Sequence, residues 1–375
     1  MKYYFDHNAT SPMRDEAFQV IANPEYRRVV NPSSPHHYGR QAFQFLEDAR
    51  DKIAAIIGAP SSSIFFNSGG SETNNTILYN YCTKSDSKKI LISSGSHPSI
   101  EVTAKSLLEN RPGIYAQLPL NKEGVVDLEY LSGFDQGSIS LVSAPWAQNE
   151  TGVIQPVSQL SALKKEGQFA LHLDGAQILG RAQINLSKID ADYVTFSGHK
   201  FGGPRGIGFI YMADQEQITP LIKGGFQENE TRAGTEDVLS AIALAETLEA
   251  VDKEVKANQL KWKKWRQKII NHLRANHINY ILLGENQERI ENTLSIILPN
   301  INTPILLMNL DMDEIAVATG SACSSGAMIG SKVVEEMGLN KGWKHSLLRI
   351  SFGWTNNDED ILFLCNRLVY HLLKK

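Results

Sequence analysis

Cysteine is scarce. Cys82, Cys323 and Cys365 are the only three in 375 residues, and they lie far apart. An odd, sparse set gives no basis for a disulfide framework and fits a reducing compartment. Long apolar runs are lacking too, so no membrane-spanning helix is expected. The N-terminus, MKYYFDHNATSP, has no apolar core of a secretory signal. A cytoplasmic protein without membrane contact is the simplest expectation. Charge of one sign is also missing. The 37 Lys and Arg against 41 Asp and Glu leave a formal charge of -4, so no broad basic excess invites nucleic acid. The sequence shows no clear repeat or low-complexity segment.

What is present is ordinary globular composition, 42% hydrophobic and 21% charged. At this length it allows a large core and two domains. Residues 39 to 57, GRQAFQFLEDARDKIAAII, place Phe43, Leu46, Ala49, Ile53 and Ile56 on one helical stripe, stopped by Gly58 and Pro60. SIFFNSGGSETNN, KKILISSGSHPSI, SISLVSAPWAQNETG and FALHLDGAQ each read as an apolar strand running into a polar loop. DYVTFSGHKFGGPRGIGFIYM reads as two strands around a glycine-rich turn. This βαβ rhythm predicts a mostly parallel, helix-covered sheet. Ligands of such sheets sit beyond the C-terminal strand ends, so the polar loops are expected to converge on one pocket. From 240 to 280 the pattern becomes one long helix, with a boundary placed near 255. LSIILPN, ILLMNLDMDEIAVATG and LLRISFG then predict a smaller α+β domain. The basic stretch KWKKWRQK is read as the wet face of an amphipathic helix, because Trp262, Trp265 and Ile269 are spaced by three and four.

The loops carry chemistry of a particular kind. Lys200, in SGHKFGGPRG, is either part of a structural turn or an amine able to form a Schiff base with an aldehyde cofactor. Asp174 ends the strand ALHLD, where a carboxylate either caps a helix or pairs with a protonated pyridine nitrogen. Gln177 is a candidate donor to a phenolic oxygen. Gly70 and Ser71, in GGSETNN, open a helix and offer an anion nest. His97 follows another strand and is either structural, a stacking ring or a proton carrier. Cys323 sits among Thr319, Gly320, Ser321, Ala322, Ser324, Ser325 and Gly326, a small polar loop. Filler, metal ligand and nucleophile are the three readings of it. The polar loop disfavours filler, and the lack of a nearby Cys/His cluster disfavours metal.

In order and spacing, YFDHNATSPM, NPSSPHHYGRQA, FFNSGGSETNN, SHPSI, QNETGVIQP, HLDGAQ, SGHKFGGPRGIG, TRAGTED, TGSACSSG and LRISFG resemble the cysteine desulfurases of the NifS/IscS type. These belong to the class V aminotransferase group of fold-type I pyridoxal-phosphate enzymes. The resemblance covers nearly the whole chain. It implies a large domain (16–255) with a mostly parallel seven-stranded sheet, and a smaller α+β domain (256–375) carrying the cysteine loop. Residues 1–15 are expected to join the small domain. It implies pyridoxal 5'-phosphate bound through Lys200, with Asp174 on the pyridine nitrogen, Gln177 on the ring oxygen and His97 stacked or moving protons. Gly70, Ser71, Ser197 and His199 would hold the phosphate, with Thr235 given by the neighbouring subunit of a homodimer. Asn149 and Arg349 would hold the substrate carboxylate, with Asn8 nearby in a segment folded over the site. Cys323 would take sulfur from L-cysteine as a persulfide, releasing L-alanine, and pass it to an acceptor protein. No metal is implied. Cys82 and Cys365 are expected to be structural.

The sequence departs from the family in AMIGSKV after the cysteine, in WAQNE, in Trp354 after RISFG, and in a short end at HLLKK. Rival expectations are a selenocysteine lyase, a small-amino-acid transaminase of the same fold, or a docking subunit without chemistry. Iron-sulfur assembly, tRNA thiolation and DNA sulfur modification are the sulfur destinations left open. None requires this chain to bind nucleic acid.

Overall fold

The computed structural model describes residues 2–84, 87–214, 218–320 and 330–374. Its centre is a seven-stranded sheet. In spatial order the strands are Ile64–Asn67, Gly208–Met212, Tyr193–Ser197, Ala170–Asp174, Ile139–Pro145, Lys89–Ser93 and Tyr115–Leu118. All neighbours from Tyr193–Ser197 onward are parallel, and Gly208–Met212 alone runs against both of its neighbours. Two reversals make Ile64–Asn67 point the same way as the parallel strands. Six C-terminal strand ends therefore meet at one edge, and the reversed strand starts there.

Parallel strands buried on both faces read as continuous apolar runs, as KILIS and YVTFS do. Each fully buried Leu, Ile or Phe in them contributes about 1.5–3 kcal/mol of transfer free energy. Helix His37–Ile57 ends at Gly58, whose left-handed φ of 69° suits glycine. It packs on the long helix Val238–Ala275 and buries Ala42, Leu46, Ala49, Ile53, Ala54 and Ile57 in the main core. Phe43, expected inside, is 53% exposed. The buried row runs through Gly39, Ala42, Leu46 and Ala49 instead, one residue out of step with Phe43.

Helix Val238–Ala275 runs unbroken past residue 255. Its first half lies in the core under the large sheet; Trp262, Trp265 and Ile269 lie in a second core. Lys263, Lys264 and Lys268 are exposed, as an amphipathic basic face requires. The second core backs an antiparallel sheet of Leu347–Ser351, Thr293–Ile297 and Ile281–Leu282, with helices Thr303–Met312 and Asp358–Leu373. The N-terminal strand Tyr3–Tyr4 pairs in parallel with Ile315–Ala316, Asp6 bridges Ser351, and Phe5 is fully buried in this second core. Among the described residues no helix is long and apolar enough to cross a membrane.

Candidate active site

A cavity of about 520 Å³ lies at the edge where the strands end. Its wall includes Gly70, Ser71, His97, Asn149, Asp174, Gln177, Ser197, His199 and Lys200. They come from five turns, at the ends of Ile64–Asn67, Lys89–Ser93, Ile139–Pro145, Ala170–Asp174 and Tyr193–Ser197. After Ile64–Asn67 the chain reverses at Gly69, whose φ of 127° is open to glycine alone, and enters helix Gly70–Lys84. Asn67 accepts the Gly69 N–H at 2.8 Å, and Glu72 accepts the Ser68 N–H at 3.0 Å. Burial works to raise the Glu72 pKa, but Ser68 and Arg232 outweigh it and lower it. The N-terminus of this 15-residue helix therefore faces the cavity with its leading N–H groups.

His97 caps helix Pro98–Leu107. Its Nδ1 accepts the Ser99 N–H at 3.2 Å and contacts Ser99 Oγ at 2.8 Å. Asp174 is the last residue of its strand, and its Oδ1 accepts the Ala176 N–H at 3.0 Å. That bond closes a turn, so the helix-cap reading of Asp174 does not hold. Lys200 ends a single 3-10 turn after Tyr193–Ser197, and its Nζ donates to the carbonyls of Asn8 and Ala9, both at 2.9 Å. His199 Nδ1 contacts Thr10 Oγ1 at 3.0 Å. Burial, then Lys200 and Arg205, lowers the His199 pKa to about 4, so its ring is neutral at pH 7.

Beneath Asp174 runs a hydrogen-bonded chain. Thr195 donates to Asn74 Oδ1 at 2.8 Å, so His172 Nε2 must donate to Thr195 at 2.9 Å, and its Nδ1 accepts from Ser143 at 2.8 Å. The Asn74 amide donates to Ser99 Oγ at 2.9 Å and to Asp174 Oδ2 at 3.4 Å. Burial lowers the His172 pKa to about 4, against the pull of Asp174. A neutral, fully bonded histidine thus lies under the carboxylate without neutralising it.

The "Aminotransferase class-V" family profile matches residues 3–364. The cysteine desulfurase IscS of Dictyoglomus turgidum is 32% identical over 360 residues, 96% of this chain and 91% of that one. Cysteine desulfurase IscS 1 of Archaeoglobus fulgidus is 32% identical over 361 residues, 96% and 94% of the two chains. A solved structure described as a NifS-like protein is 31% identical, covers 99% of both chains and superposes with a TM-score of 0.90. The chain belongs to the NifS/IscS-type cysteine desulfurases. Its fold is that of the class-V aminotransferases, the mostly parallel seven-stranded sheet included.

Within this desulfurase framework, three expected site residues lie off the cavity wall. The Asn8 side chain donates to Asn149 O at 3.0 Å and Thr293 Oγ1 at 2.9 Å, while its carbonyl meets Lys200. Arg349 is 1% exposed. It donates to Asn149 O at 3.2 Å and to Asp6 Oδ1 at 2.7 Å, and its Nε has no partner among the described residues. Thr235 is exposed and away from the wall. Cys323 lies outside the described residues. Cys82 and Cys365 are buried, and burial pushes their thiols up to about 12 and about 11.

Sequence reading missed Asn74, Ser99, Arg205 and the His172–Thr195 pair. Asn74 alone carried a signal. It stands four residues after Gly70 in the quoted GGSETNN, on the same face of the helix.

Proposed function

We propose that this chain is a pyridoxal-phosphate-dependent cysteine desulfurase that moves sulfur from L-cysteine to Cys323 and releases L-alanine. The observation that carries the reading is the meeting of Lys200, Asp174, Gln177 and His97 on one cavity beside a helix N-terminus. The donor set fits the cofactor. Lys200 would supply an amine to its aldehyde, Asp174 a carboxyl group to its pyridine nitrogen, Gln177 an amide to its ring oxygen and His97 a flat ring to its face. Ser71, Ser197, neutral His199 and the Gly70 end of the helix suit a phosphate. Bound there, pyridoxal phosphate supplies an electron sink for the substrate's α-carbon.

The protein's own groups do the rest. Lys200, whose Nζ donates to the carbonyls of Asn8 and Ala9, holds or takes the α-proton. Asp174 holds its side chain at the sheet edge, where it would meet the pyridine nitrogen. Arg349 offers a planar fork for the substrate carboxylate, beside Asn149. The Cys323 thiolate attacks the substrate sulfur. An S–S bond forms, the substrate C–S bond breaks, and the carbon takes a proton to become the alanine methyl. Cys323 is left as a persulfide, and an acceptor protein takes the outer sulfur.

Thr235, exposed on its own chain, is assigned to the phosphate of a second copy in a homodimer. Residues 1–15 are assigned to the 256–375 unit, supported by the Tyr3–Ile315 pairing and by Phe5 in the second core. Residues 16–255 form the cofactor unit.

The test is spectroscopic and chemical. Wild type supplied with pyridoxal phosphate shows a visible absorption band that Lys200→Ala loses. Absence of the band from the supplied wild type counts against the reading.

A further inference from the structure

A glutamine amide has two chemically opposite ends, and a half-turn about its last torsion exchanges donor for acceptor in the same place. At Gln177 the neighbours decide which end goes where. A guanidinium only donates, and Arg181 Nη1 contacts Gln177 Oε1. A carbonyl only accepts, and Gln177 Nε2 donates to Asn8 O at 2.9 Å. Two independent neighbours therefore demand the same orientation, oxygen to Arg181 and nitrogen to the side where Lys200 also meets Asn8 O.

Arg181 itself is unusual. It is 4% exposed, and among the described residues its hydrogen-bond partners are oxygens of neutral groups. Nη1 also donates to Gln177 O at 3.1 Å, and Nη2 donates to His7 O at 2.9 Å and Lys200 O at 3.1 Å. A buried cation without a carboxylate is costly. Its forked donors reach three parts of the site at once: the N-terminal segment, the lysine turn and the glutamine.

We infer that Arg181 is a positioning residue that pins Gln177 Oε1 and so commits the Gln177 amide nitrogen to donation at the cavity. The inference rests on the proposed role of Gln177 as donor to the cofactor's ring oxygen. Without Arg181 only the single bond to Asn8 O opposes a half-turn that presents the amide's carbonyl, which repels an anionic ring oxygen.

The test uses full-length protein loaded with pyridoxal phosphate, reading the position of the visible band and its pH titration alongside the melting temperature. Gln177→Ala is expected to shift the band. Arg181→Met is expected to shift it in the same direction although Gln177 is intact, and the double variant is expected to shift no further than Gln177→Ala. Arg181→Lys, which still donates to Oε1, is expected to restore the wild-type band. Where Arg181→Met fails to fold, Arg181→Gln retains a bonding side chain that no longer dictates the orientation, and the same shift is expected. A wild-type band in folded Arg181→Met or Arg181→Gln, with only the melting temperature lowered, reduces Arg181 to a structural staple and overturns the inference. A wild-type band in Gln177→Ala overturns the donor role of Gln177 itself, and the inference with it.

Discussion

The ammonium of Lys200 rests 2.9 Å from the carbonyl oxygen of Asn8, and the same oxygen accepts the Gln177 amide. The N-terminal segment thus reaches Lys200 through backbone, while the Asn8 side chain turns away to Asn149, Thr293 and Asn292. The two halves of the residue have separable jobs. Asn8→Ala keeps the carbonyl and strands buried partners, so it is expected to cost about 1–3 kcal/mol of stability. The visible band should survive. Chemical denaturation and absorption spectra check both parts.

Asp6 holds one arm, Nη2, of the Arg349 fork that the substrate carboxylate is proposed to use, and Asn149 O holds the other. Asp6→Asn is expected to lower stability by about 1–3 kcal/mol through loss of a charged hydrogen bond. It is also expected to lower KM for L-cysteine, because a competitor is removed. Arg349→Lys is expected to raise KM more than it lowers kcat, since an ammonium lacks the fork. A raised KM in Asp6→Asn would mean that Asp6 aims Arg349 instead of competing for it.

Buried His7 and His172, with half-buried His199, set an acid limit. Burial, aided by Arg181 at His7, lowers His7 to about 3; His172 and His199 fall to about 4, against an ordinary value of 6.5. Between those values the unfolded chain binds protons that the folded chain refuses. Stability is therefore complete above about 6.5 and declines as pH falls toward 4. Equilibrium unfolding at several pH values measures the slope. His172→Gln is expected to flatten it by about 1.4 kcal/mol per pH unit, one proton's share.

Glu228, Asn229 and Glu230 stand in succession at left-handed φ of 48°, 51° and 65°. What holds them is a buried pair. Arg50 donates to both Glu228 oxygens at 2.8 and 2.9 Å, and Glu228 also accepts the Phe66 N–H at 2.7 Å. Burial acts to lower the Arg50 pKa, but Glu228 and then Glu47 outweigh it and raise it. Breaking a buried pair from one side costs about 3–5 kcal/mol. Glu228→Ala is expected in that range by denaturation, and a loss near zero would show that the loop holds itself.

Much of this architecture is legible in the residue pattern. Apolar runs ending in polar clusters, such as ALHLD before Gly175, are what a parallel sheet with a site at its edge requires, and Asp174, His97 and Lys200 fall where that pattern places them. The parts that escape are those whose meaning depends on packing. Arg181 looks like a surface residue in a turn until three chain segments close over it. His172 and Thr195 look like polar interruptions of two strands until the strands pair. Phe43 looks like core because it is large, yet the buried row of its helix passes through Ala42 and Leu46 and leaves it exposed. The Arg349–Asp6 pair joins residues from opposite ends of the chain and has no local signature.

The central claim is that sulfur leaves L-cysteine onto Cys323. It is tested most directly by mixing cofactor-loaded protein with one equivalent of L-cysteine, then reading alanine and the mass of the Cys323 peptide. The account predicts one alanine per site and one added sulfur on Cys323, with both lost in Cys323→Ala. Alanine formed at the wild-type rate by Cys323→Ala, with no sulfur on the wild-type peptide, would contradict it.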